Sequence, residues 1–115
     1  MSILEDKSYK FAIRIVKLNK YLCTEHKEYV LSKQLLRSGT AVGALVAEAQ
    51  YAQSKADFIN KLQISLKEAN ESRYWLRLLK DCDYITGKMF QSILEDIEEL
   101  IKMLISSINT AKPKK

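Results

Sequence analysis

From Phe58 to Leu79 the chain repeats Phe58, Leu62, Ser65, Ala69, Ser72, Leu76 and Leu79 in alternating steps of four and three. Residues three and four apart share one helical face, so this spacing is the seam of a long helix packed in a bundle. Just upstream, Gly39, Gly43 and Ala47 recur at every fourth position. One face of the preceding helix then carries almost no side chain, and another helix can approach it closely. The stretch from Gln34 to Asp81 is read as two long helices back to back, half of a bundle. A small-residue stripe would signal helix dimerisation in a membrane, but Arg37, Glu48 and the glutamines make this segment water-soluble.

The remainder of the chain supplies two more helices. With 115 residues, 47% of them apolar, and only three Gly and one Pro, there is core material for one domain and little turn material. The first helix is predicted from Asp6 or Lys7 to Glu25, capped by Asp6 or Ser8, with Phe11, Leu18, Leu22, Ile15, Ala12, Cys23, Val16 and Tyr9 on its core side. A short connection containing His26 leads to a helix from about Lys33 to Tyr51, for which Ser32 is the candidate cap. Ser54, followed three residues later by Asp57, resembles a capping box and restarts the chain into a helix ending near Lys80. The segment DCDYITG is the clearest loop, with Thr86 available to cap a last helix from Lys88 to Asn109. The expected architecture is all-α, an antiparallel up-and-down four-helix bundle over residues 1–109, with 110–115 as a disordered basic tail.

In the last helix Phe90, Leu94, Ile97, Ile101, Leu104 and Ile108 repeat the alternation, and a second row, Ile93, Leu100 and Ile105, widens the apolar surface. That surplus predicts a subunit contact. Trp75, beside the seam of the third helix with Tyr74, is expected at an interface or core edge. Glu48 stands among small apolar residues, and a buried carboxylate needs a cationic partner. Arg37 is too far along its own helix, so Glu48 is read either as a structural ion pair with Arg73 or Arg77 of the third helix or as an exposed carboxylate.

One surface has a single sign of charge. Lys7, Lys10, Arg14, Lys17 and Lys20 spread over roughly 140° of the first helix, and no acidic residue lies between Lys7 and Cys23. A merely solvated face usually mixes signs. With a net charge of +5, three readings stay open: a solvated face, a face for RNA or DNA backbone, or one that meets acidic residues of a partner protein or of the helix-four block Glu95, Asp96, Glu98 and Glu99 in a neighbouring subunit.

Catalytic chemistry finds no support. Cys23, Cys82 and the single His26 fall short of a four-ligand zinc set, so no metal and no cofactor is expected. There is no nucleophile paired with a base and no phosphate loop, so the reading is a non-enzyme without a small-molecule substrate. No apolar stretch approaches the ~20 residues of a bilayer span and the N-terminus lacks an apolar run, which predicts a cytoplasmic protein without membrane contact.

The run RSGTAVGALVAEAQYAQSKADF, followed by LKEANESRYWLRLL, resembles the bacterial four helix bundle proteins, also called the 23S rRNA-intervening sequence proteins. The resemblance extends from about Lys7 to Asn109. It implies an up-and-down bundle that closes into a homopentameric ring. Some members are encoded inside insertions in ribosomal RNA genes, and relatives are accessory proteins to retroelement reverse transcriptases. The chain departs from the family pattern at Ala41 and Leu45, where Ser and Asn are common. Apolar packing would there replace part of a polar network.

Overall fold

Four helices follow one another in the computed structural model, which describes residues 2–113: α1 (Ile3–Glu25), α2 (Leu31–Ala49), α3 (Lys55–Asp81) and α4 (Gly87–Ala111). Each packs on the next, and α4 returns to α1. No diagonal pair comes into backbone contact among the described residues. The bundle measures 49 × 22 × 21 Å. That length follows from α3, whose 27 residues span about 40 Å at ~1.5 Å per residue. This is the expected all-α up-and-down architecture.

Local chemistry sets the ends. α1 starts before the expected Asp6 or Lys7 because Ser2 and Glu5 form a reciprocal capping box. Ser8, the other candidate cap, is buried inside the helix. Ser54 and Thr86 cap α3 and α4 as expected, accepting from the Asp57 and Met89 amides. Ser32 does not cap α2. It is buried in the first turn, and the Glu28 carboxylate accepts from the amides of Val30 at 3.2 Å and Ser32 at 2.7 Å. Burial alone would raise the Glu28 carboxyl, but the amides of Ser32, Leu31 and Val30 together outweigh it and hold the group below its ordinary range. α4 runs two residues past Asn109, so Thr110 and Ala111 of the expected tail are helical. Lys114 and Lys115 lie outside the described residues.

The glycine stripe faces α1. A Cβ on Gly39 would lie 2.8 Å from Ile15 Cγ1, and one on Gly43 would lie 3.0 Å from the Ser8 carbonyl oxygen. The close approach anticipated from the stripe is thus made inside the chain, although Ala47, its third member, is exposed. The core is filled by Phe11, Ile15 and Leu22 of α1, Leu35, Val42 and Val46 of α2, Leu62, Leu76 and Leu79 of α3, and Ile97, Leu100 and Leu104 of α4. Tyr9 and Val16, expected in that core, point outward instead. At the α2–α3 seam the packing is partly polar. The Ser38 and Ser72 hydroxyls share a 2.8 Å hydrogen bond, and Ser65 donates to the Val42 carbonyl. Ala41 and Leu45 are half-buried on α2.

The second apolar row on α4 is corrected. Ile93 and Leu100 are buried in this chain's own core, because α4 must cover two neighbours, α3 and α1, and needs a wide apolar arc to do so. Ile105 alone of the row is exposed. Trp75 is half-buried at a core edge, donating from Nε1 to Glu71 at 3.0 Å.

Candidate nucleic-acid interface

Because α1 and α4 run antiparallel, the basic row of α1 lies along the acidic residues of α4. Lys7 Nζ bonds Glu99 at 2.7 Å, and Arg14 forms an ion pair with Asp96 and donates to Ser92. Lys10 pairs with Asp6 one turn back. Glu99 holds the Lys7 ammonium above its usual range, first by that hydrogen bond and then by charge. The α4 acidic block is therefore split. Asp96 and Glu99 serve this chain's own α1, whereas Glu95 and Glu98 stay exposed. These pairs are exposed on both sides, so each contributes little to stability. What they change is the field, which is partly neutralised over the first half of the row.

Lys17 and Lys20 are different. Both are exposed, and neither has a carboxylate within salt-bridge distance among the described residues. The free charge of α1 is concentrated toward its C-terminal half. Beside Lys20 the outward face carries Tyr9, Ile13 and Val16, all well exposed, an apolar strip that the bundle leaves uncovered.

The expected pairing of Glu48 does not form. Its carboxylate is exposed, and its nearest cation is Lys61 at 3.7 Å. Antiparallel packing sets Glu48 opposite the start of α3, and Arg73 lies twelve residues beyond Lys61, about 18 Å further at ~1.5 Å per residue. Arg77 is farther still. Arg73 instead donates to Asn70 on its own helix. The buried carboxylate is instead Glu68 of α3. Arg37 bridges from α2 to Glu68 at 2.9 Å and to Glu71. The helical spacing of Glu68 and Glu71 beside a bundle seam was the signal available for that network.

His26 is an exposed loop residue, but it is tied down. Its Nε2 is 3.2 Å from the Tyr21 hydroxyl, and its ring meets Tyr21 and Tyr84 edge-on. Cys23 sits half-buried by the Glu28 carbonyl and Cys82 is exposed, both as free thiols. Among the described residues no group of His, Cys, Asp and Glu is arranged to hold a metal ion, and no helix is long and apolar enough to cross a membrane.

Comparison with known proteins agrees with this fold. A family model described as 23S rRNA-intervening sequence protein matches residues 2–106. A solved structure, a protein with unknown function from the S23 ribosomal protein family of Bacteroides thetaiotaomicron, is 57% identical with a TM-score of 0.91. The match covers 92% of this chain and 98% of that one. No curated protein matches.

Proposed function

The chain belongs to the 23S rRNA-intervening sequence protein family, and from that premise we propose that it is a non-enzymatic, homo-oligomeric helical module that holds nucleic-acid backbone on a basic surface. The observation that carries the nucleic-acid reading is the pair Lys17 and Lys20. They are exposed and have no acidic partner among the described residues, on a helix with no acid between Lys7 and Cys23. A symmetric ring would repeat this pair around one surface and multiply the field. The oligomeric part is supported by the uncovered strip Tyr9, Ile13 and Val16. The homopentamer implied by the family resemblance supplies the copy number. Buried polar side-chain atoms all have hydrogen-bond partners among the described residues, which suits a structural role.

Lys10 and Arg14 are engaged within the chain, so reversing them would disturb α1 and α4 together. The informative variant is Lys17→Glu/Lys20→Glu. Wild-type protein is expected to bind structured RNA and duplex DNA with little sequence preference, with affinity falling steeply between about 50 and 200 mM salt as counterions are released. Fluorescence anisotropy reads this directly. Absence of binding at low salt, or full binding by a folded double variant, would sink the reading. A protein-binding scaffold would then take its place, which the internal neutralisation of Lys7, Lys10 and Arg14 favours.

A further inference from the structure

At the end of the bundle where α3 turns into α4, the α1–α4 seam opens into a cavity of 510 Å³. Its floor is apolar: Leu18, Ile85 and Ile93 are buried core residues, and Met89 packs against them. Its mouth is cationic, because Arg14, Lys17 and Lys88 stand around it and no acidic residue lines it. Arg14 is engaged by Asp96 and Ser92, but Lys17 and Lys88 are exposed and have no ion-pair partner among the described residues. Lys17 and Lys88 thus leave uncompensated positive charge at the mouth of an apolar floor, a combination that complements a ligand with a negative head and an apolar body.

We infer that this cavity binds a small organic anion, a carboxylate, phosphate or sulfonate attached to an aromatic or alkyl body, with its head between Lys17 and Lys88 and its body on Leu18, Ile85 and Ile93. The volume falls within the range of small-ligand sites, which run from about 300 to 1,000 Å³. The two parts of the ligand are required for separate reasons. The floor rewards an apolar body through removal of its surface from water, whereas Lys17 and Lys88 reward a negative head. A simple inorganic anion leaves the floor wet, and a neutral hydrocarbon leaves the ammonium groups without a partner. The site shares Lys17 with the proposed nucleic-acid surface, but Lys20 does not line it and its floor is made of the buried residues Leu18, Ile85 and Ile93, so the two readings can be tested apart.

A matched pair of fluorescent probes tests it: 1-anilinonaphthalene-8-sulfonate, and N-phenyl-1-naphthylamine, which has the same rings without the sulfonate. The full chain is expected to bind one sulfonate probe per subunit, roughly tenfold or more tighter than the neutral one, the factor that a charge-assisted contact supplies. Lys17→Ala/Lys88→Ala changes only exposed positions. It should bring the sulfonate probe down to the affinity of the neutral probe and leave the neutral probe unchanged. Methyl NMR of the same complex should place the perturbed signals at Ile85, Met89 and Ile93. Equal affinity for both probes, an unaffected double variant, or perturbations at Ile13 and Val16 instead would each overturn the assignment. Loss of RNA binding with the probe results intact would leave this site standing.

Discussion

Two single residues hold helix ends in ways that their positions make testable. Glu28 caps α2 from outside, with its carboxyl below the ordinary value of 4.5. The folded protein therefore prefers the ionised form. Its contribution is fully present above pH 4.5 and is lost as the pH falls through the lowered folded value. Glu28→Gln should lose about 1 kcal/mol at neutral pH, as for a lost cap, and should flatten the acid limb of a urea-denaturation series run against pH. Asp83 adopts φ 65° just after α3, while the Tyr84 amide bonds the Leu79 carbonyl and the Asp83 amide that of Lys80. That is the position glycine favours at a helix end. Asp83→Gly should stabilise by up to about 1 kcal/mol in the same assay. At this scale the sequence was only partly legible. Ser54 and Thr86 announce themselves next to apolar runs. Glu28 does not, because a carboxylate reaching forward over a loop leaves no fixed spacing to read.

The helices themselves were legible from period, and the partner of each face was not. Gly39 and Gly43 predict close packing, but only the structure assigns the neighbour as α1, with Ile15 against one and the Ser8 backbone against the other. Gly39→Ala should therefore cost about 1–3 kcal/mol despite the better helix propensity of Ala, since the Ile15 atoms in the way lie near the root of a fully buried side chain. Combining it with Ile15→Ala should cost less than the sum of the two, which a double-mutant cycle in guanidinium would detect. Gly43→Leu should exceed Gly39→Ala, because a carbonyl of α1 has no rotamer to move into. The same limit explains the rows on α4. A periodic pattern reports how wide an apolar arc is, not whether a subunit or the chain's own α1 covers it, so Ile93 and Leu100 read as surplus until α1 was placed over them.

For the whole molecule, the bundle could be read from four periodic segments with little turn material, whereas the charges could not be placed. Lys7 meets Glu99 and Arg14 meets Asp96 across almost the full length of the chain. Nothing local in either helix encodes that register. Glu48 illustrates the same point, since its fate depended on which end of α3 lies beside it. The prediction that belongs here is assembly. Light scattering after gel filtration should return about five times the 13.3 kDa chain mass. Val16→Glu, which charges the uncovered strip without touching the core, should shift the population toward smaller species, and a wild-type monomer at micromolar concentration would rule the assembly out. A further consequence lies in the α1–α4 seam. The other three seams join helices adjacent in sequence, so they can form hairpin by hairpin at low entropic cost, and only this one must wait for the two ends of the chain to meet. It is also the most open of the four, and exposed ion pairs lie along it. Hydrogen exchange and protease access should therefore begin along the facing edges of α1 and α4, and added salt should hasten both there before it loosens anything between α2 and α3.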